Sequence, residues 1–473
     1  MRLRVACVVL AVSLGLSSCS SRTATPSPAP TPASTYTLGG TVSGLLSGES
    51  LSLNDTGGAS LTVTANGTFS FTTQLATGTT YAVTVSTQPT GQICTVANGT
   101  GTIASSNVTS VAVSCGDHGE SVLYSFLGSP DGMNVYAGVV MDSSGNLYGT
   151  TRDGGSNNLG TVFKVTPTGT ETVLYSFAGG SDGSNPYASL VFDSAGNLYG
   201  TTYAGGSNNL GTVFKITPSG AETVLHTFGS GNDGAAPYAG LVMDSSGNLY
   251  GTTSVGGSSS HGTVFKITPT GTETVLHSFG VGSDGQELNG GLLIDSNGNL
   301  YGTTTVGGSS SFGTVFKIDS TGVESILYSF SSLPDGQVPT AALVMDSNGN
   351  LYGTTSRGGT QNFGTVFKIT PSGTESVLYS FLGGTDGSLP QDSIVIDSSG
   401  NLLGTTSDGG SNNQGVLFEI TPSGTETVLH SFVQGNDGAN PQAGLVIGSN
   451  GYLYGTTIGG GAANHGTVFQ YAP

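Results

Sequence analysis

Short runs in which apolar and polar residues alternate, separated by Gly, Asn, Asp and Pro, recur from Tyr36 to the end of the chain. Alternation with period two predicts half-buried β-strands, and the Gly/Asn-rich breaks predict tight turns. No stretch carries the spacing of a long amphipathic helix. Between Tyr36 and Cys115 the runs Ser50-Leu51-Ser52-Leu53, Thr68-Phe69-Ser70-Phe71 and Tyr81-Ala82-Val83-Thr84-Val85 predict a small β-sandwich over residues 36–116.

From Asp117 onward the pattern repeats with an unbroken period. Asp142, Asp193, Asp244, Asp295, Asp346 and Asp397 each lie 51 residues from the next, with Gly448 in the seventh place. The same step relates the phenylalanines Phe163 to Phe469 and those from Phe126 to Phe432. Each copy holds four strand signals: Ala-x-Leu-Val-x-Asp, then Asn-Leu-Tyr-Gly-Thr-Thr, Gly-Thr-Val-Phe-Lys-Ile and Thr-Val-Leu-Tyr-Ser-Phe. Four short antiparallel strands per repeat predict a propeller blade. The region opens on a lone fourth strand, Ser121–Phe126, and closes after a third strand at Pro473, so the two ends complete one blade. The expected fold is therefore all-β, a seven-bladed β-propeller over 117–473 whose N-terminal strand closes the last blade. Such closure removes open sheet edges. The Pro-x-Gly turn between third and fourth strands favours a bulge, which would put the strand lysines and glutamates out of register as solvated charges.

Composition adds location and exclusions. Only 8% of residues are charged, and the net charge of −19 arises mainly from a shortage of bases. Nucleic acid and anionic lipid surfaces are thus excluded as partners. Residues 1–19 combine Arg2 and Arg4 with an apolar run from Val5 to Leu16 and small residues up to Cys19, the layout of an export signal. Residues 20–35, with Pro26, Pro28, Pro30 and Pro32, read as an extended spacer. Cys94 and Cys115 then form the even pair that an exported chain is expected to oxidise to a disulfide.

The tetrad Leu16-Ser17-Ser18-Cys19 resembles the bacterial lipobox, which implies lipidation at Cys19, an outer-membrane lipoprotein on the periplasmic or cell-surface side, and membrane contact only through that anchor. Residues 36–116 resemble the immunoglobulin-like or prealbumin-like modules that follow such spacers, on Ala65-Asn66-Gly67-Thr68-Phe69 and the terminal Cys. The combination Leu-Val-x-Asp-Ser-x-Gly-Asn-Leu-Tyr-Gly-Thr-Thr, Gly-Gly and Gly-Thr-Val-Phe-Lys resembles the Gloeo_Verruco tandem repeat of exported bacterial proteins. That resemblance implies an extracytoplasmic location and no particular activity.

Candidate chemistry lies where the copies differ. An Asp-Gly pair, from Asp131 to Asp437, occupies the loop between the fourth strand and the next first strand in every copy, which points to turn chemistry more than to a cation site. Five residues later the copies diverge: Tyr136, Tyr187, Tyr238, Asn289, Thr340, Gln391 and Gln442. Three tyrosines on consecutive blades suit stacking on sugar rings or peptide contacts. Arg152, Tyr203 and Arg357, between second and third strands, vary on the same face. No paired carboxylates or nucleophile with a base break the repeat, and no cofactor or metal motif is present. The sequence thus predicts a monomeric binding or scaffold module for an extracellular glycan or protein, not an enzyme; the alternative is a polysaccharide-active glycosidase or lyase built on the propeller.

Overall fold

The computed structural model describes residues 34–45, 48–89, 92–117, 119–229, 231–280 and 283–473. The signal, Cys19 and most of the spacer lie outside the described residues. The chain divides into two units, one up to Ser114 and one from Cys115 to Pro473, with residues 89–93 grouped with the second.

The first unit contains two four-stranded sheets. One orders Gly67–Ser70, Leu38–Ser43, Val108–Asp117 and Gln92–Ala97; the other orders Ser60–Val63, Leu51–Asp55, Thr80–Thr87 and Thr100–Thr102. Leu38–Ser43 runs parallel to Val108–Asp117. Alternate residues such as Leu51 and Leu53, Tyr81 and Val83, and Val111 and Val113 are buried, as period-two patterning requires. Cys94 and Cys115 are disulfide-bonded, as the sequence predicts.

The second unit is all-β and propeller-like: four-stranded antiparallel sheets repeat along it. In the first of them, Val140–Met141, Leu147–Thr151, Thr161–Val165 and Glu171–Ser176 are neighbours in that order. The last is composed of Gly119–Ser125, Thr467–Ala472, Leu453–Thr457 and Val446–Ile447, so the N-terminal strand pairs with the C-terminal one. Among the described residues the helical content is two three-residue 3-10 turns, Gly180–Asp182 and Gly384–Asp386. No helix there is long and apolar enough to cross a membrane.

Neighbouring sheets are joined by the same contacts at every junction. The phenylalanine after the fourth strand packs edge-on against the third-strand phenylalanine of the next sheet, as in Phe177–Phe214 at 5.1 Å and Phe330–Phe367 at 5.1 Å. Phe126–Phe163, at 5.0 Å, is the equivalent contact between the last sheet and the first. Each ring is fully buried and contributes about 2–3 kcal/mol by area. A second-strand threonine hydroxyl also donates to a backbone carbonyl of the following sheet: Thr150 to Ala188 at 3.0 Å, and Thr456 back to Ala137 at 2.8 Å.

The turn bulge is present, and it relocates the charges. In the first sheet the turn is closed by the Thr166 N–H on the Thr170 carbonyl and the Gly169 N–H on the Thr166 carbonyl, both at 2.9 Å, with Gly169 at φ 79°, so Lys164 opposes Thr172 and Glu171 opposes Val165; a separate bulge at Leu174 lies farther along the strand. The ammonium of Lys164 lies over the Tyr148 ring at 5.6 Å. Glu171 is not a solvated charge, contrary to the sequence expectation: its Oε1 is buried without a hydrogen-bond partner, close to Asp131 of the neighbouring sheet. Burial first, and the Asp131 charge second, push its carboxyl up to about 7. Glu222, Glu375 and Glu426 stand in the same relation to Asp182, Asp335 and Asp386 and are likewise pushed up to about 7.

A stability optimum on the acid side follows. An acid whose folded-state pKa is raised stabilises the fold fully below its unfolded value of 4.5, and that contribution is lost as pH climbs through about 7. Asp142 and its counterparts Asp193, Asp244 and Asp346 have lowered values and act oppositely, losing their contribution as pH falls below 3.8. Thermal melts across pH 3–9 should therefore peak near about pH 4.5, with the midpoint lower at pH 8. Replacing Glu171, Glu222, Glu375 and Glu426 together by Gln should flatten the alkaline limb, each half-exposed group counting on the order of 1 kcal/mol after solvent screening.

Candidate functional site

The repeated Asp-Gly loops are scaffolding. Asp131 accepts hydrogen bonds from the Leu127 N–H at 2.9 Å, the Gly132 N–H at 2.7 Å and the Tyr124 hydroxyl at 2.8 Å. The carboxylate thus ties down the backbone before it as well as after it. In three copies histidine replaces the tyrosine: His226, His277 and His430 lie 3.2, 3.2 and 3.0 Å from Asp233, Asp284 and Asp437. The segment after each Asp then bridges to the loop that follows the second strand, as in Ser184 with Ala204 and Gln337 with Arg357. That bridge places the variable residues of both segments on one face.

The seven divergent positions meet. Tyr136, Tyr187, Tyr238, Asn289, Thr340, Gln391 and Gln442 all line a single cavity of about 430 Å³, floored by small residues such as Ala188, Ala239 and Gly291. One sector is aromatic. Tyr187 stacks on Tyr238 with centroids 4.9 Å apart and meets Tyr136 at 5.3 Å. Tyr203, which is 41% exposed, packs edge-on against Tyr187 at 5.5 Å and extends the cluster outward. The Arg152 guanidinium lies 5.3 Å from the Tyr187 ring centre and 5.9 Å from that of Tyr136, and is held by Asp153 at 3.6 Å. Asp153 is in turn fixed by the Asn134 side-chain amide, which donates to it at 2.8 Å. Arg357 is not brought to this cluster; it is exposed on its short strand and does not line the cavity. The variable Leu159, Leu210 and Phe312 pack against the junction cores, so their variation is a packing matter.

The opposite sector holds a residue that sequence reasoning missed. Asp392 lines the cavity at a register where the other copies carry Ala137, Ala188, Ala239, Gly290, Ala341 and Ala443. It breaks the repeat and is the one acidic side chain among the described lining residues. Its surface is partly open to the cavity, yet protein encloses it on the remaining sides. Burial pushes its carboxyl up to about 6, opposed by the Ser393 N–H at 2.5 Å, the Ser393 hydroxyl at 3.0 Å and the Gly444 backbone. Across the cavity the Tyr238 phenol is pushed up to about 12, by burial first, with Tyr187, Tyr136 and Asp392 adding to the shift.

The sequence matches the Gloeobacter/Verrucomicrobia repeat in three overlapping segments, residues 79–316, 221–396 and 289–473. The chain belongs to the Gloeobacter/Verrucomicrobia repeat family. In this family member the matched segments include all seven cavity positions, Asp392 among the residues beside them. No curated protein matches the chain. Among solved structures, it is similar to the extracellular domain of a candidate one-component system from B. thetaiotaomicron, at 10% identity and a TM-score of 0.49, over 74% of this chain and 39% of that one. The chain thus spans about two fifths of that relative. A candidate 6-phosphogluconolactonase from Bacteroides uniformis shares 18% identity with a TM-score of 0.46, over 66% of this chain and 88% of that one. PorZ, a bacterial surface component of the type-IX secretion system of Porphyromonas gingivalis, shares 17% identity with a TM-score of 0.45, over 84% and 60% of the two chains.

Proposed function

We propose that residues 119–473 form a closed seven-bladed β-propeller that works outside the cytoplasm, at the cell surface or in the periplasm, as a binding module for a glycan. Closure is supported by the pairing of Gly119–Ser125 with Thr467–Ala472, by Phe126 on Phe163 and by the Thr456 to Ala137 hydrogen bond. Export is supported by the sequence of residues 1–19 and by the disulfide-bonded Cys94 and Cys115. The carrying observation is the convergence of seven divergent residues, otherwise dispersed at 51-residue intervals, on one cavity. Aromatic rings on one side with amides, hydroxyls and a carboxylate on the other fit the apolar faces and hydroxyl edges of a sugar. Asn289, Thr340 and Gln391 offer neutral hydrogen-bonding groups, and ionised Asp392 offers an acceptor for sugar hydroxyls. A glycosidase of the common two-carboxylate kind needs a second acid facing the first. Among the described lining residues Asp392 is the one acid, which favours binding over hydrolysis.

The test incubates the chain from Ser20 onward with a panel of insoluble polysaccharides and assays retained protein together with released reducing ends. Retention without product is expected. Tyr187→Ala should weaken it by about tenfold or more, in line with the loss of one aromatic contact. Retention should also fall as pH drops below about 6, where Asp392 gains a proton, and Asp392→Asn should make it insensitive to pH in that range. Release of reducing ends would overturn the binding-only reading. Absence of retention on every glycan would overturn the glycan assignment.

A further inference from the structure

Two junctions between sheets carry a set of side chains that the cavity does not involve. At one, His277, Asp284 and Glu324 each present a ligand-type atom, all within 4.8 Å of one another; at the other, Glu120, His430 and Asp437 do the same. In each set the histidine and the aspartate come from one sheet and the glutamate from the next. We propose that these two clusters are binding sites for a divalent transition-metal ion such as Zn2+, which clasps adjacent sheets together.

The geometry supports this at the level of individual atoms. The His277 Nε2 lies 3.2 Å from Asp284 Oδ1, and the His430 Nε2 lies 3.0 Å from Asp437 Oδ1. Ligands about 2.0–2.2 Å from a zinc ion sit roughly that far apart, so a metal can enter with little rearrangement. The second aspartate oxygen is already used for positioning: Asp284 Oδ2 accepts the Gly280 N–H at 2.5 Å, and Asp437 Oδ2 accepts the Val433 N–H at 2.7 Å. Such outer contacts aim a carboxylate at a metal. On the glutamate side, Oε1 of both Glu120 and Glu324 is buried without a hydrogen-bond partner, leaving a desolvated acceptor beside a second carboxylate. A cation would satisfy that oxygen and, between Glu120 and Asp437, take the place of the proton through which the two carboxyl groups are hydrogen-bonded. One imidazole with two carboxylates is a donor set suited to zinc and its neighbours, and less to calcium, which prefers oxygen alone.

The repeat supplies its own controls: at the third histidine copy His226 lies 3.2 Å from Asp233, but Glu273 does not complete a set of three ligand atoms within 4.8 Å. Where tyrosine stands in place of the histidine, as Tyr124, Tyr175, Tyr328 and Tyr379 do, the phenol donates to the aspartate at 2.6–2.9 Å and no nitrogen ligand is present. The Glu120 cluster also joins the N-terminal strand to the fourth strand of the preceding sheet, Glu426–Ser431, so a metal there would reinforce ring closure. No spacing along the chain announces such a site, because the three ligands are brought together across a sheet junction.

Zinc binding to the untagged, metal-stripped protein, measured by titration calorimetry and by metal content after dialysis, tests the proposal. Two zinc ions per chain are expected, with a rise in melting temperature on zinc addition. His277→Tyr and His430→Tyr should each remove one ion, and the double variant should bind none and melt at a temperature zinc does not change. Tyrosine is the residue other copies carry, so these variants retain the fold; circular dichroism verifies it, and Glu324→Gln offers an independent loss of one site. Absence of zinc binding by the parent at 100 µM, or an unchanged zinc content in the double variant, would overturn the proposal.

Discussion

A chain beginning at Leu127, lacking Gly119–Ser125 and Phe126, is expected to lose its cooperative thermal transition near room temperature and to aggregate. The removed strand pairs with Thr467–Ala472 along its length. Its loss exposes a hydrogen-bonding edge beside Val468 and Phe469, which are fully buried in the intact protein, and such an edge invites pairing between chains. Phe126 alone is fully buried against Phe163, and losing an aromatic side chain of that kind costs about 3–5 kcal/mol. That is a large share of the roughly 5–15 kcal/mol by which folded proteins are stable. The Thr456 hydroxyl would also lose the geometry that aims it at Ala137. Differential scanning calorimetry and light scattering read the outcome. A melting midpoint within a few degrees of the parent would show that the strand contributes little and that the sheets do not depend on closure.

Phe316→Ala should be among the most damaging single substitutions in the repeats, destabilising by about 3–5 kcal/mol in a denaturant titration. Its ring is fully buried, touches Phe279 at 5.0 Å across a sheet junction, and covers Gly302. A Cβ at Gly302 would come 2.5 Å from the end of that ring, which is why glycine interrupts the Leu-Tyr-Gly-Thr-Thr strand at this point. Phe363→Ala is the matched control: its ring is 40% exposed, and the expected change is under about 1 kcal/mol.

The repeats were legible because their residues serve local needs. Asp142 states its role in the sequence, since its partners Ser144, Asn146 and Tyr148 are within six residues. The buried phenylalanines announce themselves by their strict spacing, and the complementary end strands point to the pairing found between Gly119–Ser125 and Thr467–Ala472. The candidate site was half legible. Divergence at Tyr136, Tyr187 and Tyr238 marked the cavity wall, and Arg152 and Tyr203 join it, but Arg357 sits one register position further along and faces elsewhere. Asp392 escaped notice although it is visible in sequence: an acid stands where the other copies have Ala or Gly, one residue after the position that was compared. The glutamates were misjudged for another reason. Their surroundings are supplied by the adjacent sheet, so Glu171 reads as a surface charge until Asp131 is placed beside it.

The proposed function rests on the repeats closing on themselves, since closure would bring seven residues distant in sequence to one cavity. A disulfide across the closing pair tests it most directly. Ser121 and Gln470 are register partners, and the Gln470 side-chain amide donates to the Ser121 hydroxyl at 3.2 Å, so both side chains share one face. Cysteines at directly opposed antiparallel positions lie within the span a disulfide bridges. In the double variant Ser121→Cys, Gln470→Cys, mild oxidation should form an intramolecular bond in nearly every chain, detected as faster migration without reductant and no free thiol. Thiols that stay free, or that link only one chain to another, would contradict closure and with it the shared cavity.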